Sequence, residues 1–343
     1  MSELFGFGVG HSTESRAGKT LEVYFPAPVK RPSEAAQRVI RAHVCVGVSS
    51  LSPASAAKLA GNLIDAGAPD AARGCSLLAE FDKPLTALVL ETDEAIQSTA
   101  EAYFKLQLLS HRLSLPNTLN LEGIFAKLPN VAWTSEGAID VDEVEAALIA
   151  ARRAGRQLTV HSLDKFPRMT DYVIPTGVRI ADASRIRLGA YLGEGTTVMH
   201  EGFINFNAGA IGPNMVEGRI SQGVIVGEHT DLGGSSSTMG TLSGGGNIKV
   251  SIGRHCLIGA NAGTGISLGD RCTIEAGLYI TSGTVVDVID EDGNRVRTAK
   301  ARELSGLSDM LFIRNSRTSK VECRTNRAAI KLNEQLHAHN WGL

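Results

Sequence analysis

Between residues 180 and 204 an aliphatic side chain recurs at every sixth position: Ile180, Ile186, Leu192, Val198, Ile204. Four places after each of the last four stands a small residue: Ala190, Thr196, Gly202, Ala208. The beat continues through Ile220, Val226 and Leu232, restarts at Ile252 and Ile258, and returns at Leu268, Ile274, Ile280 and Val286. Helices repeat at 3.6 and strands at 2, so neither explains it. A short flat side followed by a corner does. Three such sides close a triangular coil of about 18 residues, and coils stack at the usual strand spacing of ~4.8 Å. Aliphatic side chains then pile inward in columns, and Gly or Asn eases the corners. An ordinary β-sandwich with chance spacing is the competing reading, and runs of this length disfavour it.

The flanks follow other patterns. "LEVYFPAPV" reads as a strand, and "PSEAAQRVIRAHV", "SPASAAKLAGNLIDAG" and "DVDEVEAALIAARRAG" carry helical spacing with Ser, Pro or Asp at their starts. "TDEAIQSTAEAYFKLQLLSHRLSLP" reads as one long helix stopped by Pro116. Around "DEDGNRV" the Asp-Gly-Asn chemistry predicts a hairpin, and "NRAAIKLNEQLHAHN" a terminal helix. The expected fold is mainly β. It has an N-terminal α/β domain over 1–170, a parallel β-helix with inserted loops over 171–290, and a tail of hairpin, strands and helix over 291–343.

Composition narrows the function. The 343 residues are 43% hydrophobic and 20% charged, with a formal net charge of −2. That balance suits a soluble globular protein and argues against nucleic acid or a membrane surface as partner. No run of about 18 apolar residues predicts a membrane span, and the N-terminus does not resemble a signal peptide. Five scattered cysteines with no CxxC pair suit buried thiols in a reducing cytoplasm.

A stack of coils has no cavity of its own, so chemistry is expected where the beat fails. It slips between Ile204 and Ile220, fails between Leu232 and Ile252 across "TMGTLSGGGN", and slips again after Ile258 across "NAGTGIS". The first slip holds Glu217 and Arg219, a carboxylate and a guanidinium suited to a polar small molecule. Other motifs carry less. "AGKT" at 17–20 lacks the first glycine of a phosphate loop. His337 and His339 read as part of the tail helix. His200, His229 and His255 lack the close pair that hexapeptide-repeat carbonic anhydrases use for zinc, and read as solvated or hydrogen-bonded.

Eight stretches then carry a specific resemblance: "LDKFPRMTDYV", "GTTVMHEGFINFNAG", "MVEGRIS", "TMGTLSGGGN", "LIGANAG", "EAGLYITSGT", "KARELSG" and "RNS". Together they resemble the 2,3,4,5-tetrahydropyridine-2,6-dicarboxylate N-succinyltransferases, in the longer form of actinobacteria and pseudomonads. The resemblance implies a left-handed coil, the exception to right-handed parallel crossovers, and a cytoplasmic homotrimer. It implies transfer of succinyl from succinyl-CoA to the amine of L-2-amino-6-oxopimelate, the opened ring, in diaminopimelate and lysine biosynthesis. Glu217 matches the family's reactive carboxylate, described in this branch as forming an acyl-anhydride. As chemistry alone, it could equally take the proton of the attacking amine.

The same resemblance makes Arg219, Gly234, Ser237, Ala260, Glu275, Ala276, Gly283, Lys300, Ile313, Arg314, Asn315 and Ser316 the succinyl-CoA contacts. Relatives often carry Arg where this chain has Ile313. Magnesium on the trimer axis matches Glu201, as a structural ion, and actinobacterial relatives have a second acidic ligand where this chain has Ser184. Two other functions fit the coil: another CoA-dependent hexapeptide acyltransferase acting on a sugar or amino acid, or a non-catalytic scaffold. A scaffold should keep its beat, and this chain breaks it at Glu217.

Overall fold

Each six-residue period becomes one two-residue strand and one corner in the computed structural model, which describes residues 3–243 and 247–325. The chain divides into two units, one reaching to Ser114 and including Thr118–Val173, the other Leu115–Asn117 with the residues from Ile174 onward.

The second unit is a parallel β-helix with three faces. One face stacks Tyr191–Leu192, Gly209–Ala210, Ile225–Val226 and Ser251–Ile252. The next runs from Arg179–Ile180 through Thr197–Val198, Met215–Val216, Asp231–Leu232 and Leu257–Ile258 to Thr273–Ile274. The third stacks Phe203–Ile204, Arg219–Ile220, Ser237–Thr238, Gly263–Thr264 and Tyr279–Ile280. The second residue of every pair from Leu192 to Ile280 is buried, so the period-six columns are the core. Ala210, Thr238 and Thr264 hold inward positions without being aliphatic. Their burial is paid for: Thr238 Oγ1 donates to the Arg219 carbonyl at 3.1 Å and Thr264 Oγ1 to that of Ile266 at 2.8 Å.

The expected hairpin is present. Val285–Ile289 pairs antiparallel with Arg295–Lys300, and Asp290 caps the turn by accepting from the Asn294 N–H at 2.8 Å. Met310–Arg314 stacks parallel on Thr273–Ile274, prolonging the second face. The expected terminal helix, with His337 and His339, lies outside the described residues.

The first unit is α/β. An antiparallel sheet runs in the order Thr20–Tyr24, Gly6–Glu14, Leu85–Leu90, Gly47–Leu51, and Phe7, Val9, Ile40, Leu59, Leu63 and Val89 belong to one buried cluster. Helices Glu34–His43 and Pro53–Asp65 begin at Ser33 and Ser52, whose side chains accept from the third residue on, as their sequences predict. The long helix is shorter than its pattern. It covers Thr99–Ser110, because the Ser98 hydroxyl accepts from the Glu101 N–H while the Glu101 carboxylate accepts from the Gln97 N–H. It ends well before Pro116, with Arg112 at φ 62°. The helix Pro69–Leu78 is one that the hydrophobic pattern does not announce. Of the five thiols, all free, Cys45 is exposed rather than buried.

Candidate active site

The corner between the second and third faces has four residues in most coils: Met199–Gly202, Gly233–Ser236, Gly259–Ala262 and Glu275–Leu278. In the coil between the first two it has two, Glu217 and Gly218, since Met215–Val216 leads directly into Arg219–Ile220. Backbone bonds fix the alignment. Met199 N–H donates to the Val216 carbonyl, Glu217 to Leu232, Gly233 to Ile258 and Gly259 to Ile274, so Glu217 opens its corner as Met199 and Gly233 open theirs. Past the corner, Phe203 N–H donates to Gly218 and Arg219 to Ser236, so Gly218 aligns with Gly202 and Ser236. The tip is what is missing. The slip of the beat is therefore a notch, with Glu217 at its base and the tips of the two flanking coils on either side.

Gly218 makes the short corner possible. A Cβ there would run into the Ser236 hydroxyl and lie 2.6 Å from its carbonyl oxygen. That hydroxyl is buried and has no hydrogen-bond partner among the described residues.

Side chains from both flanking tips converge over the notch. An ideal Cβ on Gly234 would lie 3.4 Å from Glu201 Oε2 and 3.8 Å from Glu217 Oε2, so both carboxylates flank one bare Cα. Ser235, at φ 57°, donates its N–H to the Glu217 carbonyl at 3.2 Å and its hydroxyl to Glu201 Oε2 at 2.9 Å. Arg185, a residue not singled out in the sequence, donates from Nη2 to the Glu201 carbonyl at 2.8 Å. Arg219 projects from the start of the third face, and its Nε and Nη2 both donate to Ser237 Oγ, at 3.0 and 2.8 Å. The remaining face of the guanidinium is free to meet an anion.

The structure thus gathers Glu201, Glu217, Arg219, Gly234 and Ser237. Farther along the same corner come Ala260, Glu275 and Ala276, in coils whose N–H groups bond to the coil before: Asn261 to Gly234 and Gly277 to Ala260, both at 2.8 Å. Glu275 fixes the next stretch, its carboxylate accepting the Arg314 N–H at 2.7 Å. Ile313 and Arg314 end the added strand, Asn315 donates to Glu322 at 2.7 Å, and Ser316 begins an exposed turn. Gly283 and Lys300 lie apart from the notch, at the far edge of the third face. There Lys300 pairs with Val285 and Ala301 N–H bonds to Thr284.

The structure also places the other candidates. His229 and His255 stack at 4.9 Å with their planes 10° apart, and His200 is not part of that stack. Ser184 donates its hydroxyl to Asp182 at 2.7 Å. Among the described residues no group of three His, Cys, Asp or Glu within the chain could hold a metal. One chain brings two carboxylates, Glu201 and Glu217, to the space beside Gly234, and one oxygen of Glu201 already accepts from Ser235. Magnesium prefers six oxygens. A magnesium site here fits only if several copies of Glu201 share it, with water completing the shell.

A stack of six-residue coils, with polar side chains gathered at one notched corner, marks a hexapeptide-repeat protein. A family model for the hexapeptide repeat of succinyl-transferase matches residues 249–282, and one for the middle of tetrahydrodipicolinate N-succinyltransferase matches residues 128–168. Over 98% of its length and 99% of the relative's, the chain is 54% identical to 2,3,4,5-tetrahydropyridine-2,6-dicarboxylate N-succinyltransferase of Pseudomonas putida. It is 50% identical, over the same shares, to that of Vibrio cholerae. A crystal structure from Campylobacter jejuni, described as a 2,3,4,5-tetrahydropyridine-2-carboxylate N-succinyltransferase, superposes with a TM-score of 0.86 at 28% identity. That match covers 96% of this chain and 94% of the other. The chain belongs to the 2,3,4,5-tetrahydropyridine-2,6-dicarboxylate N-succinyltransferase family.

Proposed function

We propose that this chain transfers succinyl from succinyl-CoA to the amine of L-2-amino-6-oxopimelate, releasing CoA, in diaminopimelate and lysine biosynthesis. Membership of the family supports the reaction. The observation that carries the site is the two-residue corner, which leaves the Glu217 carboxylate at the base of a notch beside Arg219. Arg219, oriented by Ser237, takes the succinyl carboxylate. The pantetheine arm follows the corner past Gly234, Ala260, Glu275 and Ala276, where backbone amides are within reach. Lys300 and Arg314 take phosphates, with Gly283, Ile313, Asn315 and Ser316 lining the arm.

Two routes use Glu217. As a base, it accepts a proton from the amine while the nitrogen attacks the thioester carbon; the C–S bond breaks and the thiolate leaves, to be protonated as CoA. As a nucleophile, its oxygen attacks that carbon and expels the thiolate, leaving a mixed anhydride. The amine then attacks the succinyl carbon of the anhydride, loses a proton and frees the carboxylate. Only the second route releases CoA before any amine is added, in an amount approaching one per site.

The assembly belongs to the same reading: a left-handed coil, three copies around an axis, and the tail from residue 291 supplying Lys300 and 313–316. The flat sides of a lone coil stack, and a notch that a neighbouring copy would close, support the trimer. Light scattering should give three times the 36.3 kDa of one chain, and a single-chain mass would contradict it. Glu201 from three copies would hold magnesium, which offsets the mutual repulsion of carboxylates on an axis. A chelator should then lower the melting temperature and magnesium restore it; an indifferent melting curve contradicts the ion. Action in the cytoplasm is part of the proposal, supported by five free thiols. Among the described residues no helix is long and apolar enough to cross a membrane.

The deciding experiment follows CoA thiol release with succinyl-CoA or acetyl-CoA and tetrahydrodipicolinate as acceptor precursor. The proposal expects turnover with succinyl-CoA and far less with acetyl-CoA. Equal turnover would favour a general acyltransferase, and none with either would leave a scaffold.

A further inference from the structure

We propose that Ser235 is a positioning residue of the transferase, bridging the notch to fix Glu201 against Glu217; the proposal rests on the reading of Glu217 as the reactive carboxylate. The argument begins with position. Glu201, Ser235, Asn261 and Gly277 each stand third in the same corner of their coils. In the last three the backbone is left-handed, at φ 57°, 56° and 74°. Asn and Gly adopt that conformation readily. Serine does so at a cost, as His229, His255 and Arg271 do at another corner of the stack, so what marks Ser235 is where its hydroxyl goes.

It goes across the notch. Between the coils of Glu201 and Ser235 runs the short corner, which has no residue at this position. In an unbroken stack a corner side chain meets the tip of the next coil, ~4.8 Å away. Here the next tip is absent, and the Ser235 hydroxyl reaches Glu201 Oε2, two coils off, at 2.9 Å. The Ser235 N–H meanwhile bonds to the carbonyl of Glu217 itself. One residue therefore holds the reactive residue by its backbone and the neighbouring carboxylate by its side chain. Gly234, immediately before it, is the bare Cα that both carboxylates flank.

With the hydroxyl in place, one oxygen of Glu201 is tied down and the space over Gly234 keeps a fixed charged wall. Without it, that oxygen of Glu201 loses its tie across the notch, and only an ion shared with other copies would still hold the carboxylate. The amine nucleophile and the thioester must meet beside Glu217, and loss of a fixed wall shows in the rate of the bound complex rather than in succinyl-CoA binding.

Ser235→Gly separates this from a structural role. Glycine suits φ 57° better than serine, so the fold should be as stable or more so. The bridge is lost nonetheless. The expected result is an unchanged or raised melting temperature, about a tenfold fall in kcat, a size typical of a lost hydrogen bond to a charged group, and an unchanged KM for succinyl-CoA. Ser235→Asn tolerates the same backbone and offers an amide donor, and should recover much of the lost kcat. Wild-type kcat in Ser235→Gly overturns the proposal, as does a loss that Ser235→Asn leaves uncorrected or one confined to KM. Glu217→Gln, assayed beside them, keeps the failures apart. If it retains turnover, the reading of Glu217 falls and the bridge with it. If it is inactive while Ser235→Gly is not, only the bridge falls.

Discussion

Glu201 and Glu217 direct their carboxylates at the same glycine, lying 3.4 and 3.8 Å from the place where a Cβ of Gly234 would stand. Both residues come from the corner between the second and third faces, in consecutive coils, and only the shortened corner at Glu217 leaves room between them. The arrangement puts negative charge on two sides of a space that a small substrate could enter. Gly234 keeps that space open, and Gly218 keeps the corner short.

The two glycines should therefore fail differently. Gly234→Ala meets its neighbours at ordinary contact distances, so its melting temperature should match wild type. Its methyl occupies the space between the carboxylates, and turnover should fall by about ten- to a hundredfold, as for reactants held slightly out of place. Gly218→Ala meets the Ser236 carbonyl oxygen at 2.6 Å. It should lose about 1–3 kcal/mol of stability from overpacking, with activity falling as the corner opens. Thermal melts and turnover on both proteins check the contrast; equal melting temperatures would contradict it.

Arg219 and Ser237 form a second unit. Two guanidinium nitrogens donate to one hydroxyl, which fixes the fork's plane. A lysine keeps the charge but not the fork. Arg219→Lys should raise the KM for succinyl-CoA about tenfold or more, the scale of a lost hydrogen bond between charged groups, and Ser237→Ala should raise it less. Initial-rate kinetics over a range of succinyl-CoA test the order; a larger effect from Ser237→Ala would contradict it.

Stability should carry a pH signature from the first unit. Burial pushes the Glu22 carboxyl above its ordinary value of 4.5, more than the hydrogen bond from Thr13 lowers it, and Asp171 adds to the rise. Tyr172 donates its hydroxyl to the same carboxylate. Because the folded form keeps its proton to higher pH than the unfolded one, this contribution is full below about 4.5 and lost as pH rises through the raised value. Glu22→Gln mimics the protonated state. Its stability relative to wild type, from urea melts, should grow as pH rises from 4.5 toward neutral. A constant difference across that range would contradict the shift.

Much of this was legible in the chain. Leu192, Val198, Ile204 and their successors announced the coil because aliphatic residues must fill its columns. Ala210 and Val216 continue that beat inside the fold, so the first slip shrinks from a long stretch to the pair Glu217-Gly218. The pattern could not show this, since alanine marks the surface as readily as a tight core. Thr238 and Thr264 were hidden likewise, as their burial depends on backbone acceptors that only the fold supplies. The nearness of Glu201 to Glu217 was also out of reach, because it follows from which coil lacks its tip. Ser235 left a faint signal, a serine where neighbouring coils use Asn261 and Gly277. The helix Thr99–Ser110 is shorter than its pattern because apolar residues on both sides of it continue its composition, while Ser98 and Arg112 set its ends.

The central claim is that the notch presents Glu217 as the reactive group, and the most direct measurement is turnover of Glu217→Gln by CoA thiol release with succinyl-CoA and tetrahydrodipicolinate. The substitution keeps the shape of the side chain and removes both its basicity and its nucleophilicity. The account predicts a loss of about 10²–10⁴ in turnover, with the affinity for succinyl-CoA changed far less, since the proposed function assigns that substrate to Arg219 and the corner beyond it. Retention of more than about a tenth of wild-type turnover, well short of what a catalytic carboxylate contributes, would contradict it.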